Sequence, residues 1–294
     1  MRPPWLKVPL PGDGKYYGVR KQLRARGVHT VCEEAHCPNA AECWGGGTAT
    51  FMVLGDTCTR GCRFCAVTTG RPSGAPAPDE PERVAEAAAA LELRYVVITS
   101  VDRDDLPDGG AAHFAATVAA VRRRLGDAIV ELLVPDFGGD GAALETIAAS
   151  GAQVIGHNLE TVRELTASVR DRRCGHELSL RVLGSLRARP ELVVKSSLLL
   201  GLGETDDQAR ACLRELREIG VDWVTLGQYL RPTRRHLAVQ RYVSPETFAE
   251  LAREARAIGF PLVTAGPLVR SSYRAAEEGA GELVARRRAG LDRG

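Results

Sequence analysis

From about residue 50 the chain alternates between two hydrophobic patterns. Short apolar, β-branched runs recur at Thr50–Leu54, Tyr95–Thr99, Ile129–Val134, Gln153–Ile155, Leu192–Leu200 and Trp223–Leu226, and each reads as a strand. Between them, apolar residues return every three or four positions. This predicts helices over Pro81–Leu91, Ala111–Leu125, Ala142–Ala149, Thr161–Leu165, Asp206–Ile219 and Pro245–Ile258. Pro81 and Pro245 suit a first helical turn, and Ser244 suits an N-cap. Gly126, Gly151, Gly220 and Gly259 stand where a left-handed helix cap is wanted.

Strands that alternate with helices imply a parallel sheet, because parallel neighbours need a crossover. Six or seven such units make an α/β fold, a partial or complete TIM-like (β/α) barrel. Its ligand-binding loops follow the C-terminal ends of the strands. Residues 1–50 differ in character. Pro3, Pro4, Pro9, Pro11 and Pro38, with Gly45, Gly46 and Gly47, argue against a long helix or a central strand there. This stretch is expected to be an extension wrapped over the core. No low-complexity linker divides the remainder.

A length of 294 residues suits one large α/β domain or two modest ones, and 44% hydrophobic with 26% charged residues is ordinary globular composition. The formal net charge of +2 gives no case for nucleic acid or a membrane surface. The first residues lack the apolar core of a signal peptide, and no run is long enough to span a bilayer. A cytoplasmic protein is expected. In a reducing compartment, clustered cysteines bind metal or do redox chemistry more often than they form bridges.

Clustered cysteines are what this chain has. Of its 8 cysteines, Cys32, Cys37 and Cys43 form a C-x4-C-x5-C group, and Cys58, Cys62 and Cys65 form C-x3-C-x2-C just after the first predicted strand. Three thiolates on a four-iron cube leave one iron open to bind and activate a ligand. Two other readings compete. The i, i+4, i+7 spacing of the second group matches a buried helical stripe, although Gly55, Asp56, Thr57, Thr59 and Gly61 make a poor helix interior. Zinc prefers four ligands, which the two groups could reach by sharing a site with His29 or His36. Cys212 falls in a helical pattern as a small apolar residue, and Cys174 lies in a charged turn with no role assigned. Lys195 interrupts an apolar strand, so its charge needs a partner: a cofactor carboxylate or an acid such as Glu131. Gly201-Leu-Gly203-Glu204 lacks the third glycine of a dinucleotide fingerprint.

The C-x3-C-x2-C motif with Phe64 before its last cysteine resembles that of radical S-adenosylmethionine enzymes. Four further stretches resemble the lipoyl synthase family. They are the upstream cysteine group, Thr99–Gly110, Gly227–His236, and Arg270-Ser271-Ser272-Tyr273. The likeness runs from about residue 15 to residue 276. It implies an extension at 1–49 with auxiliary-cluster ligands, a radical barrel at 50–265 and a C-terminal segment at 266–294.

By that resemblance, Cys58, Cys62 and Cys65 would hold a [4Fe–4S] cluster whose open iron takes S-adenosylmethionine. Cys32, Cys37 and Cys43 would hold a second [4Fe–4S] cluster, with Ser272 as its fourth ligand. The implied reaction puts sulfur from this auxiliary cluster at C6 and C8 of an octanoyl chain on a carrier lysine. Phe64, Asn158, Glu160 and Lys195 are candidate cofactor contacts. Many radical enzymes place Gly-Gly-Glu after the second strand, whereas this chain has Gly109-Gly110-Ala111. Implied partners are an octanoylated lipoyl carrier protein or lipoyl domain, an electron donor such as flavodoxin or ferredoxin, and a cluster-repair iron–sulfur carrier. Arg231, Arg234, Arg235 and Arg241 are candidates for meeting an acidic carrier. A methylthiotransferase or biotin-synthase-like enzyme is the nearest catalytic rival. A zinc module or two-cluster electron carrier is the non-catalytic one.

Overall fold

The structure is a computed structural model that describes residues 3–7, 14–34, 37, 39–45, 48–273 and 279–290. Pro9, Pro11, His36, Pro38, Gly46 and Gly47 lie outside the described residues. Seven strands follow one another in both chain order and sheet order: β1 Thr48–Val53, β2 Tyr95–Ser100, β3 Ile129–Leu133, β4 Val154–Gly156, β5 Val193–Leu200, β6 Trp223–Gln228 and β7 Leu262–Gly266. Every neighbouring pair is parallel. Two residues, His29–Thr30, add an antiparallel eighth strand on the outer edge of β1. Among the described residues β1 and β7 do not pair, so the barrel is partial and open on one side. All six residues of β1 and all six of β6 are buried, as strands covered on both faces require.

The crossovers run through α1 Glu80–Ala90, α2 Ala111–Arg124, α3 Gly141–Ala148, α4 His176–Leu186, α5 Asp206–Glu218 and α6 Pro245–Ala257. Their ends obey local chemistry. The Ser244 side chain accepts from the N–H of Thr247, Asp140 accepts from Ala143, and Thr205 with Gln208 forms a reciprocal capping box. Pro81 and Pro245 occupy first turns. Gly151, Gly220 and Gly259 take φ of 90°, 88° and 99°, whereas Gly126 has no left-handed φ.

Four expectations need correction. A twelve-residue helix, Gly14–Ala25, runs through the proline-free interval of the N-terminal stretch, with Leu23 buried against the core. The Thr161–Leu165 pattern yields only a 3-10 turn at Arg163–Leu165 and a short helix, Thr166–Val169. Helix α4 was not predicted, because its inward face carries His176 and Ser179 beside Val182, Leu183 and Leu186. Strand β7 was missed because only Val263 and Thr264 of its five residues are buried.

A C-terminal helix, Ala280–Arg288, covers the barrel's N-terminal mouth. Ala280, Leu283 and Val284 pack on Tyr95, Val154, Val193 and Trp223, the first residues of four strands. Arg287 pairs with buried Asp222 at the start of β6. The opposite mouth is left for chemistry.

Lys195 lies towards the covered end. Its Nζ is 2.9 Å from both Glu131 carboxylate oxygens and 3.5 Å above the Trp223 ring, while Tyr95 donates to Glu131 at 2.7 Å. This corrects its assignment as a cofactor contact, because its charge is already satisfied internally. A Lys195→Met variant leaves Glu131 buried and unpaired, and should lose about 3–5 kcal/mol of unfolding free energy. A Lys195→Met/Glu131→Leu double variant should recover much of that loss in urea melts. A single variant as stable as the parent would contradict this account.

Candidate active site

At the C-terminal ends of the strands lies a cavity of about 510 Å³. Both cysteine groups and Ser272 line it, so residues up to 240 positions apart in sequence meet in one space.

The second cysteine group is held by the loop after β1. The chain turns sharply at Leu54 and Gly55, with φ of 70° and 92°. A two-residue parallel pairing of Thr57–Cys58 with Thr68–Thr69 closes the loop on itself. Its cysteines are not in a helix, which removes the buried-stripe reading. Backbone N–H groups of Arg60 and Asp102 both donate to the Cys58 sulfur at 3.4 Å, and that of Asp171 donates to the Cys62 sulfur at 3.3 Å.

Arg60 anchors this loop. Its guanidinium is 5% exposed and pairs with Asp104 at 2.7 Å, Asp136 at 2.6 Å and Asp102 at 3.3 Å. These aspartates follow β2 and β3, so one side chain ties three strand–helix loops together. Arg103 does similar work nearby, donating to the carbonyls of Leu54 and Gly74 and pairing with Asp105. The Thr99–Gly110 stretch is therefore a clamp for the cysteine loop. Within it, Gly110 (φ 91°) lets the Leu54 side chain approach, since a Cβ there would sit 2.3 Å from Leu54 Cδ1.

The first cysteine group sits on the N-terminal segment. Cys32 lies in the short helix Val31–Glu34 and Cys43 in Ala40–Gly45, while the Cys37 N–H donates to the Cys32 carbonyl at 3.0 Å. Two contacts join this segment to the C-terminal one. Asn39 donates to the Leu268 carbonyl at 2.6 Å, and the Tyr273 hydroxyl donates to Glu42 at 3.1 Å. Between them lies Ser272, whose Oγ is buried and has no hydrogen-bond partner among the described residues.

Burial pushes the Cys58 thiol up to about 12, with Asp102 adding to it. Burial also pushes Cys32 up to about 12, helped by Cys37, and raises Cys65. Alone, these groups stay protonated. A bound cationic metal centre converts them to thiolates and offsets the burial of their charge. Sulfurs already met by backbone N–H groups, and a buried hydroxyl without a partner, fit iron–sulfur ligation.

Phe64, Asn158 and Glu160, the remaining candidate cofactor contacts, also line the cavity. Asn158 donates to Glu160 at 3.0 Å, and Glu160 takes a left-handed φ of 68°. Burial raises the Glu160 pKa, against the opposing pull of Arg170 and Asn158.

Residues 52–216 match the model of the radical SAM superfamily. Lipoyl synthase of Thermus thermophilus is 55% identical over 275 residues, covering 93% of this chain and 85% of that protein. Lipoyl synthase of Pyrobaculum calidifontis is 56% identical over 277 residues, covering 94% of this chain and 95% of that one. The chain belongs to the lipoyl synthase family. It is a radical S-adenosylmethionine enzyme of lipoate biosynthesis, and membership implies a [4Fe–4S] cluster and S-adenosylmethionine as cofactors. Solved structures agree on the fold. HydG, a maturase of the [FeFe]-hydrogenase, aligns with a TM-score of 0.60 at 11% identity, over 86% of this chain and 57% of that one. Methylornithine synthase aligns with a TM-score of 0.58 at 15% identity, over 86% and 76%.

The lipoyl synthase family site contains residues to which sequence reasoning gave no role of their own. His157 donates from Nδ1 to the Val134 carbonyl at 2.9 Å, so its Nε2 accepts from Ser179 Oγ at 2.9 Å. Burial, then Arg170, lowers its pKa to about 4, which keeps the ring neutral. Arg170 donates to the same Ser179 oxygen at 2.8 Å. Arg270 is half-buried and lines the cavity near Cys37. Cys174 is buried and lines the cavity. Only the helical spacing of Ser179 could have flagged this network. The rest depends on loops that meet in space.

The arginine cluster divides. Arg241 is engaged by Asp206 at 2.6 Å and Glu204 at 3.7 Å, which corrects its assignment to docking. Arg231 lines the cavity and donates to the His236 carbonyl at 2.8 Å. Arg234 and Arg235 are exposed. Glu204 accepts from the N–H groups of Gly201 and Leu202, so that glycine pair serves a turn. Among the described residues, no helix is long and apolar enough to cross a membrane.

Proposed function

We propose that this chain inserts two sulfur atoms, at C6 and C8, into an octanoyl chain carried on a lysine of a lipoyl carrier protein or lipoyl domain. The observation that carries this reading is one cavity lined by both cysteine trios and by the Ser272 hydroxyl, which has no hydrogen-bond partner among the described residues. Cys58, Cys62 and Cys65 are read as ligands of the radical cluster. Cys32, Cys37, Cys43 and Ser272 are read as ligands of an auxiliary [4Fe–4S] cluster that donates sulfur. When bound, the radical cluster and S-adenosylmethionine supply a carbon radical able to take hydrogen from an unactivated methylene.

The chain's own groups bind, orient and shield. An unactivated methylene has no acidic proton, so general bases have nothing to abstract. Met52, Val67, Val101, Val134 and Leu199 give the cavity the apolar walls that an eight-carbon chain needs. Asn158 and Glu160 present polar groups suited to the amino acid or ribose part of the cofactor. Neutral His157 holds the Val134 loop and adds no charge. A serine oxygen is a poor match for iron beside thiolates, which makes Ser272 the corner most easily released. The segments that carry Asn39 and Glu42 on one side and Leu268 and Tyr273 on the other then act as one unit on the 50–265 barrel, consistent with the Asn39–Leu268 and Tyr273–Glu42 contacts. Exposed Arg234 and Arg235 suit an acidic carrier surface. A flavodoxin or ferredoxin as electron donor and an iron–sulfur carrier for cluster repair complete the cycle.

The test is anaerobic incubation of reconstituted enzyme with reductant, S-adenosylmethionine and an octanoyl-lysine peptide. Mass spectrometry should register two added sulfur atoms per peptide, and iron analysis about eight irons per chain. Formation of 5′-deoxyadenosine without sulfur gain would retain the radical chemistry and remove the proposed product.

A further inference from the structure

The Gly227–His236 stretch opens on a glycine inside a strand. Gly227 is buried near the C-terminal end of β6 and has no left-handed φ, so conformational freedom is not what it supplies. What it supplies is space. A Cβ there would be driven into the carbonyl oxygen of Val269 and would lie 3.1 Å from the carbonyl carbon, well inside van der Waals contact. Arg270 Nη1 donates to that same carbonyl at 2.7 Å. Gly156, at the corresponding end of β4, differs: the nearest atom to a Cβ there would be 3.5 Å away. The bare backbone of Gly227 is where the C-terminal segment lands on the barrel. Strand β7 ends at Gly266, which pairs in register with Gly227. The Val269 N–H returns to the Gly266 carbonyl at 3.1 Å, and this turn brings Val269 onto β6. A second turn follows at once, with the Tyr273 N–H donating to the Arg270 carbonyl at 3.0 Å. Ser272 sits in that second turn, so little slack separates it from the contact at Gly227.

We propose that Gly227 is a positioning residue for Ser272: by letting the Val269 carbonyl rest directly on β6, it sets how deep Ser272 enters the cavity beside Cys32, Cys37 and Cys43. This rests on Ser272 being a ligand of the auxiliary cluster. A methyl group at position 227 meets backbone rather than the tip of a movable side chain, so no change of rotamer relieves it. The segment lifts instead, and Ser272 lifts with it. The radical loop hangs from Arg60 and the aspartates after β2 and β3, so it keeps its place.

The test compares Gly227→Ala with Gly184→Ala, a control in α4 where an added Cβ meets open space. In cluster-free protein, limited trypsin digestion with mass spectrometry follows the cut after Arg270, which is half-buried in the parent. Gly227→Ala should speed this cut roughly tenfold or more, and Gly184→Ala should leave it alone. The cut after buried Arg103 reports global unfolding and should keep its parental rate in both. In reconstituted enzyme, Gly227→Ala should reproduce the change in the Mössbauer signature of the auxiliary cluster caused by Ser272→Ala, while 5′-deoxyadenosine still forms. The Gly227→Ala/Ser272→Ala double variant should be no worse than Ser272→Ala, because both act through one ligand. An unchanged cut after Arg270, equal acceleration of both cuts, or a parental auxiliary signature in Gly227→Ala each overturns the proposal. If Ser272→Ala itself keeps the parental signature while the digests behave as expected, the ligand reading is what has failed, and the proposal falls with it.

Discussion

Replacing Cys32, Cys37 and Cys43 together with alanine should abolish sulfur insertion while cleavage of S-adenosylmethionine continues. Iron should fall from about eight to about four per chain, and 5′-deoxyadenosine should still form when the protein is reduced. The reason is spatial. The radical loop is held by the Thr57–Thr69 pairing, by Arg60 and by the aspartates after β2 and β3, none of which belongs to the N-terminal segment. The auxiliary group hangs from a different set of contacts, through Asn39 and Glu42 to the C-terminal segment. Product by mass spectrometry and 5′-deoxyadenosine by chromatography, from the same reactions, check both halves. Normal product yield from the triple variant would end the sulfur-donor reading. Loss of both activities at full radical-cluster iron would mean that the two groups are not separable parts.

The second large effect is expected at Arg60. Arg60→Leu leaves Asp102 and Asp136 without their cation, and leaves Asp104 with only the more exposed Arg173 at 3.0 Å. Breaking a buried pair by removing one partner costs about 3–5 kcal/mol, a large share of a domain's stability of about 5–15 kcal/mol. Arg60→Lys should rescue little, because a single ammonium cannot reproduce the bidentate fork that spans Asp104 and Asp136. Urea unfolding of the cluster-free protein measures the loss directly. A midpoint within error of the parent would contradict the clamp. The acid side carries a further sign. Burial alone would raise Asp136, but the bonds from Arg60 outweigh it and hold the carboxyl below the usual carboxylate range. Its contribution is therefore complete above the ordinary aspartate pKa of about 3.9, and is lost as pH falls through the lower folded value. In Arg60→Leu burial dominates, so this part of the stability-against-pH slope should vanish or reverse.

Much of the barrel is legible along the chain because its causes are local. A strand buried on both faces must be apolar throughout, as β1 and β6 are, and a crossover helix must show an apolar stripe with a cap such as Ser244 or Thr205. Failures fall where tertiary packing overrides the local pattern. Helix α4 buries His176 and Ser179 because Glu215 and His157 stand opposite to bond them. The N-terminal helix Gly14–Ala25 forms despite flanking prolines, because an interval without proline is long enough for three turns. Lys195 could be recognised as needing a partner. Choosing Glu131 over a cofactor took knowledge of which end of the barrel it faces.

The sequence by itself determined the alternating α/β architecture and both cysteine trios, because periodicity and ligand spacing are written in consecutive residues. Only the tertiary structure decided that the trios and Ser272 line one cavity, that Arg60 locks three loops, and that Arg241 is engaged elsewhere. Those facts depend on how loops from different strands meet at one mouth of the barrel. Burial, pairing of charges and the path of the terminal segments set that meeting, and none of these is a property of any short stretch of chain.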